Sequence, residues 1–259
     1  MRWSVLVLLI AYQIPALAVK LRVCADPNNL PFSNRQEQGF ENKIASLLSN
    51  SLGATLSYSW WVERDHLVRN TLGANRCDLL LGVPAAIEDA LATRPYYTST
   101  YVFVFRKDSS LKVRSLDDDI LEKLRIGVHV MGDGLAPPAA YLAHRGIREN
   151  VTGYSMFGAY GDQNPPARLI EAVGRRDVDL AIVWGPLGGF FAQHQPVPLD
   201  VVPVQPDHYG PIPFTYSMVM AVSKDNPALR DRIDSVLTRE ANQIGTILRQ
   251  FGVPQSTLP

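Results

Sequence analysis

The chain has 259 residues, 46% of them hydrophobic, and its 25 basic and 25 acidic side chains give a formal net charge of zero. A balanced chain without a long block of like charge lacks the basic face that phosphate neutralisation needs, so nucleic acid is a poor partner. The length suits one large core or two smaller ones.

Arg2, the apolar run 5–11 and the small residues Ala16-Leu17-Ala18 have the charge, apolar centre and A-x-A cleavage site of an export signal, expected over residues 1–18. That run is too short to cross a bilayer, and no later stretch reaches the roughly 20 apolar residues required. Residues 21–25 read as a strand emptying into the turn-forming Asp26-Pro-Asn-Asn29. Residues 40–53 carry Phe40, Ile44, Leu47, Leu48 and Leu52 at helical spacing and stop at a glycine. Residues 55–61 are rich in β-formers, 67–74 read as a short helix and 79–83 as a strand. Trp60 and Trp61, adjacent on a strand, face opposite ways, so one is expected in the core and the other partly exposed. Strand, helix, strand, helix, strand is the order of a parallel sheet. A strand over 101–105 then leads out of this unit.

The same order recurs, with strands expected at 125–130, 151–156 and 180–184, helices at 139–145 and 167–174, and a short extra strand at 201–204. A strand at 214–222 opens a C-terminal block whose helix, from Asn226 onward, carries Ile233, Val236, Leu237, Ile244, Ile247 and Leu248 on one face. With that block packed back on the first unit, the chain crosses near 105–108 and again near 211–214. The expected fold class is α/β, two lobes joined by a two-strand hinge with a cleft between them: lobe 1 from 19–106 plus 213–259, lobe 2 from 107–212. Cys24 and Cys77 are the only cysteines. An exported chain meets an oxidising compartment, which favours a disulfide between them; two buried apolar thiols are the alternative.

Twelve short runs carry a family resemblance: LRVCADPNNLPFS at 21–33, GFENKI at 39–44, RNTL at 69–72, RCD at 76–78, TRPYY at 93–97 and STYVF at 99–103, then LRIGV at 124–128, AHRGIREN at 143–150, NPPAR at 164–168, VWGP at 183–186, QPVPL at 195–199 and FGVP at 251–254. Together they resemble the MxaJ/XoxJ proteins, periplasmic solute-binding-like accessories of quinoprotein (PQQ-dependent) methanol dehydrogenases. The resemblance spans nearly all of the chain behind the signal and implies a type II periplasmic-binding-protein fold in the periplasm. It also implies a non-enzymatic role in maturing or activating the dehydrogenase, with that enzyme's cytochrome c as a further candidate partner. PQQ and metal are expected in the dehydrogenase, and no cofactor in this chain. The competing reading is a solute receptor that delivers a small non-amino-acid ligand to an ABC transporter.

Amino-acid-binding relatives place an Arg soon after the third strand, where its fork grips the ligand carboxylate, and an acidic residue at a second-lobe strand end to take the ammonium. Here GVPAAIED at 82–89 and VWGP at 183–186 supply neither. The expected cleft is aromatic and sparsely polar: Asp26, Asn28, Asn29 and Phe32 from the first turn, Pro84, Arg94, Tyr96 and Tyr97 from the first lobe's later connections, Asp133, Tyr160 and Trp184 from the second lobe, and Tyr216 from the return strand. Such residues suit an apolar or aromatic ligand or an inserted partner segment. Blander roles stand beside these. Tyr96 and Tyr97 can pack the approach to the hinge, Asp26 can bond amides of its own turn, and Arg94 can join an internal ion pair. Gly132-Asp-Gly134 is a poor phosphate cradle with a carboxylate in the way.

No catalytic set assembles. There is no G-x-S-x-G elbow, and His66, His129, His144, His194 and His208 show neither H-E-x-x-H spacing nor pairing with cysteine. Scattered carboxylates nominate no acid/base pair, and no oxygen-rich calcium loop can be read.

Overall fold

The computed structural model describes residues 19–62, 66–131, 134–157 and 162–256. The expected export signal, Asp133 and Tyr160 lie outside the described residues. The first lobe is built on Val19–Ala25, which runs parallel to Ala54–Trp60 on one side and to Leu79–Pro84 on the other. Helix Phe40–Leu52 makes the first crossover, and its buried Phe40, Ile44, Ala45 and Leu48 close one sheet face. Burial of such side chains contributes about 1.5–3 kcal/mol each. Asn42 fixes the helix start, because its Oδ1 accepts from both Gly39 N at 3.1 Å and Asn34 N at 3.2 Å.

The second expected helix is cut short. Leu67–Asn70 is one turn, because the Thr71 hydroxyl bonds back to the Leu67 carbonyl at 2.6 Å and Arg76 N closes a loop onto the Thr71 carbonyl at 3.0 Å. That loop delivers Cys77 to Cys24, and the two form a disulfide with Cα atoms 5.5 Å apart. The bond lies in a small buried cluster with Leu72, Leu80, Val83 and Val219.

Tyr97–Arg106 is twice the length expected and belongs to both lobes. From Tyr97 to Thr100 it pairs antiparallel with the return strand Thr215–Val222; from Tyr101 onward it pairs antiparallel with Leu180–Trp184 and Leu199–Pro203. The partner change at Thr100/Tyr101 comes earlier in the chain than the crossing expected near 105–108. Every residue from Tyr97 to Phe105 is buried, as befits a β-branched and aromatic run covered on both faces.

The second lobe repeats the plan, with Ile126–Met131 parallel to Val151–Ser155 and to Leu180–Trp184. Helix Ala167–Arg175 covers it with Leu169, Ile170, Ala172 and Val173. Helix Gly185–Gln193 was not legible in advance, since Gly185, Pro186, Gly188 and Gly189 argue against a helix by propensity. Tertiary packing overrides propensity here: a Cβ on Gly189 would stand 1.8 Å from the Gly252 carbonyl oxygen. The C-terminal block forms two helices, Pro227–Arg239 and Ala241–Gln250, rather than one. Asn226 caps the first by accepting from Leu229 N at 3.2 Å, and Ile233, Val236, Leu237, Ile244 and Leu248 return to the first lobe's core.

Candidate functional site

Four connections meet at the seam between the lobes. The first is the turn after Val19–Ala25. Asp26 is used locally: its Oδ1 accepts from Asn28 N at 2.8 Å and its carbonyl from the Ser33 hydroxyl at 2.8 Å. Asn29 likewise accepts from Phe32 N at 2.9 Å. Asn28 reaches across the seam, donating from Nδ2 to the Asp162 carbonyl at 2.8 Å and accepting from Asn164 N at 3.4 Å. Leu30 and Phe32 pack on the second lobe's cluster around Leu187 and Phe191, while Phe32 keeps its ring 5.3 Å from Phe40 in the first lobe.

The second and third connections bring the aromatic residues together. Trp184, half-buried at the end of Leu180–Trp184, meets Tyr101 at 5.5 Å and Tyr216 at 5.7 Å, both edge-on, and touches all three large hydrophobic clusters. Tyr97 lies edge-on to Phe40 at 5.9 Å and to Tyr96 at 4.8 Å. Burial pushes the phenols of Tyr96, Tyr101 and Tyr216 above the ordinary tyrosine range, so all three are neutral near pH 7. The acidic group that bears on Tyr96 is Glu41, whose Oε1 would stand 2.0 Å from a Cβ on Gly82. Gly82 also has φ +66°, so this position in the strand takes glycine on two grounds.

The fourth connection is the C-terminal segment. Phe251 bridges the lobes, edge-on to Phe40 at 6.0 Å and stacked on Phe190 of helix Gly185–Gln193 at 5.7 Å. Ser99 then donates to the Pro254 carbonyl at 2.6 Å, and Ser256 N to the Thr98 carbonyl at 3.0 Å. This strap, together with Tyr101 and Glu41, was not among the expected site residues. A glycine interrupting the strand at Gly82 was the signal for Glu41, and the close-approach glycines of 185–189 were the signal for the strap.

Two expected residues stand apart from this group. Arg94 is held on helix Pro227–Arg239: its backbone N donates to Asp234 Oδ1 at 2.7 Å and its guanidinium to the Thr238 hydroxyl. Arg94, expected in the cleft or in an internal pair, is thus engaged within the first lobe. Pro84 is exposed at its strand end. Neither tryptophan of the 60–61 pair is in the core; both are half-buried. A cavity of about 530 Å³ lies beside the strap, lined by Gly189, Gln193, Pro196, Pro198, Gly252 and Pro254 among others, and none of the expected cleft residues that are described lines it. Among the described residues no group of three or more His, Cys, Asp or Glu is placed to hold a metal ion, and no helix is long and apolar enough to cross a membrane.

Among the described residues the seam joins an aromatic contact around Trp184 to the Asn28 amide clamp, beside which Asp162 pairs with Arg168 at 2.6 Å. The model of the bacterial extracellular solute-binding proteins, family 3, matches residues 21–251. Protein MoxJ of Paracoccus denitrificans is 33% identical over 263 residues, covering 95% of this chain and 93% of its own length. The chain belongs to family 3 of the bacterial extracellular solute-binding proteins, in the MxaJ/XoxJ group. The crystal structure of the periplasmic binding protein XoxJ from Methylobacterium extorquens AM1 is 35% identical with a TM-score of 0.76, covering 92% of this chain and all of that one. That of MxaJ from Methlophaga aminisulfidivorans MPT is 26% identical with a TM-score of 0.80, at the same coverage. The solute-binding protein thus has the type II periplasmic-binding fold that its strand order implies.

Proposed function

We propose that this solute-binding protein is a non-enzymatic periplasmic accessory of a PQQ-dependent methanol dehydrogenase, which it binds to assist maturation or activation. Its relationship to MoxJ, MxaJ and XoxJ proteins supports the link to methanol oxidation. The observation that carries the step from solute carrier to accessory is the chemistry of the seam. Where a zwitterion carrier needs a guanidinium and a carboxylate facing each other, Trp184, Tyr101 and Tyr216 pack on one another, and Arg94 is engaged by the first lobe's own helix. Lobe 1 is taken as 19–106 plus 213–259 and lobe 2 as 107–212, with PQQ and its metal in the dehydrogenase.

The reading is tested by recovering the exported protein from the periplasm of a methanol-grown host and weighing its complexes by native mass spectrometry. A co-purified quinoprotein subunit, with or without its cytochrome c, is the expected result. A tightly held metabolite and no protein partner would instead make it a transport receptor.

A further inference from the structure

The outer edge of the first lobe presents an arrangement that the seam does not use. Ala54–Trp60 ends the strand order and, among the described residues, pairs only with Val19–Ala25. The backbone groups on its outer side therefore have no strand partner among the described residues. Natural sheets blunt such edges with lysine, proline, bulges or very short strands. This edge has seven residues, ATLSYSW, with no charge and no proline.

The end of the strand is aromatic and cationic at once. Tyr58 stacks on Trp60 with ring centroids 4.8 Å apart, Arg35 lies over Trp60 at 5.8 Å, and Arg76 lies over Trp61 at 4.7 Å. Arg35 and Arg76 are exposed, and among the described residues neither pairs with a carboxylate. The nearby Asp78 is already taken by Arg22, at 2.7 Å. Glu37 and Glu41 both act on the Tyr58 phenol, and Glu41 bears on Tyr96 as well. Val62, 46% exposed, extends the apolar surface beyond the tryptophans. Stacked guanidiniums keep their N–H groups directed outward for carboxylates, and their attraction to the rings holds them ready.

We propose that this edge is the docking surface for an extended acidic segment of the dehydrogenase, which adds to Ala54–Trp60 as a further strand and sets its carboxylates on Arg35 and Arg76. The inference rests on the accessory reading and specifies which face does the work. Main-chain bonds along the strand would supply affinity, and the two arginines direction and selectivity.

The test uses the full exported protein and purified methanol dehydrogenase. Arg35→Glu combined with Arg76→Glu changes only exposed side chains, and an unchanged melting curve verifies the fold. Retention of the dehydrogenase should fall by about tenfold or more, whereas Thr152→Glu on the second lobe's edge should leave it unaltered. Amide exchange of residues 55–60 should slow in the wild-type complex. Equal retention by the double variant, or unchanged exchange at 55–60, overturns the docking surface while the accessory reading stands. A wild-type protein that retains no dehydrogenase overturns both.

Discussion

The two lobes share one plan, three parallel strands with helical crossovers, but they are fastened by different chemistry. In the first, Cys24–Cys77 ties the central strand to the loop before Leu79–Pro84, and Cys24 stands in register with Ser59 of the outer strand. The covalent link therefore steadies the strand beside the exposed edge. In the second, no disulfide occurs among the described residues, and the corresponding strand Ile126–Met131 carries His129, 4% exposed, bonded through Nε2 to the Pro166 carbonyl at 3.1 Å. Its outer strand Val151–Ser155 is shorter and interrupted by Gly153, where a Cβ would meet Val130 Cγ2 at 2.6 Å. Both lobes end in an edge strand, and the lesson is that one plan can be fastened covalently beside one edge and by packing alone, among the described residues, beside the other.

The comparison breaks most directly at the disulfide. Cys24→Ser with Cys77→Ser, or reductant, removes a link spanning 53 residues, and loop-closure entropy puts the loss at about 4 kcal/mol. Denaturant titration measures it, and amide exchange should rise first in Ala54–Trp60 with little change in the second lobe. Uniform loss across both lobes would dissolve the distinction.

Acid should act on the other lobe. Burial holds His129 down to about 4 from its ordinary 6.5, so the folded protein favours the neutral ring. Its stabilising contribution is complete above pH 6.5 and is lost as pH falls from about 6.5 to 4, a change of about 3 kcal/mol. His129→Gln keeps a donor for Pro166 but does not titrate, so its stability should be flatter across that window. An identical slope in the variant would assign the acid sensitivity elsewhere.

The seam is sharpened by Trp184→Ala, which removes two edge-on ring contacts and packing shared by three clusters. Half-burial scales the cost to about 2 kcal/mol. Dehydrogenase retention should persist at a temperature where the variant remains folded. A smaller loss is expected for Asn28→Ala, about 1 kcal/mol for the cross-lobe bonds to Asp162 and Asn164, and scattering should report a looser lobe pair.

How much of this was legible in the sequence depended on whether local pattern and tertiary demand agreed. Phe40–Leu52 and Leu180–Trp184 stood out because periodicity and burial pointed the same way. Helix Gly185–Gln193 did not, since its glycines, a sign of close backbone approach, argue against a helix by propensity while serving the contact with Gly252. The long shared strand read only from Tyr101 onward, because Tyr96 and Tyr97 follow a proline and look like a loop entry. Of the site, the Asp26 turn and the aromatic character of Trp184 and Tyr216 were readable. That Asn28 would clamp the opposite lobe, and that Arg94 would face Thr238, depended on contacts more than 130 residues apart in sequence.

The central claim is that this protein recognises a dehydrogenase rather than a free solute. Calorimetric titration of purified PQQ-dependent methanol dehydrogenase into the exported protein tests it most directly. Saturable binding that weakens as salt rises is predicted. No heat at micromolar concentrations, with a metabolite found in the protein's own mass, would contradict it.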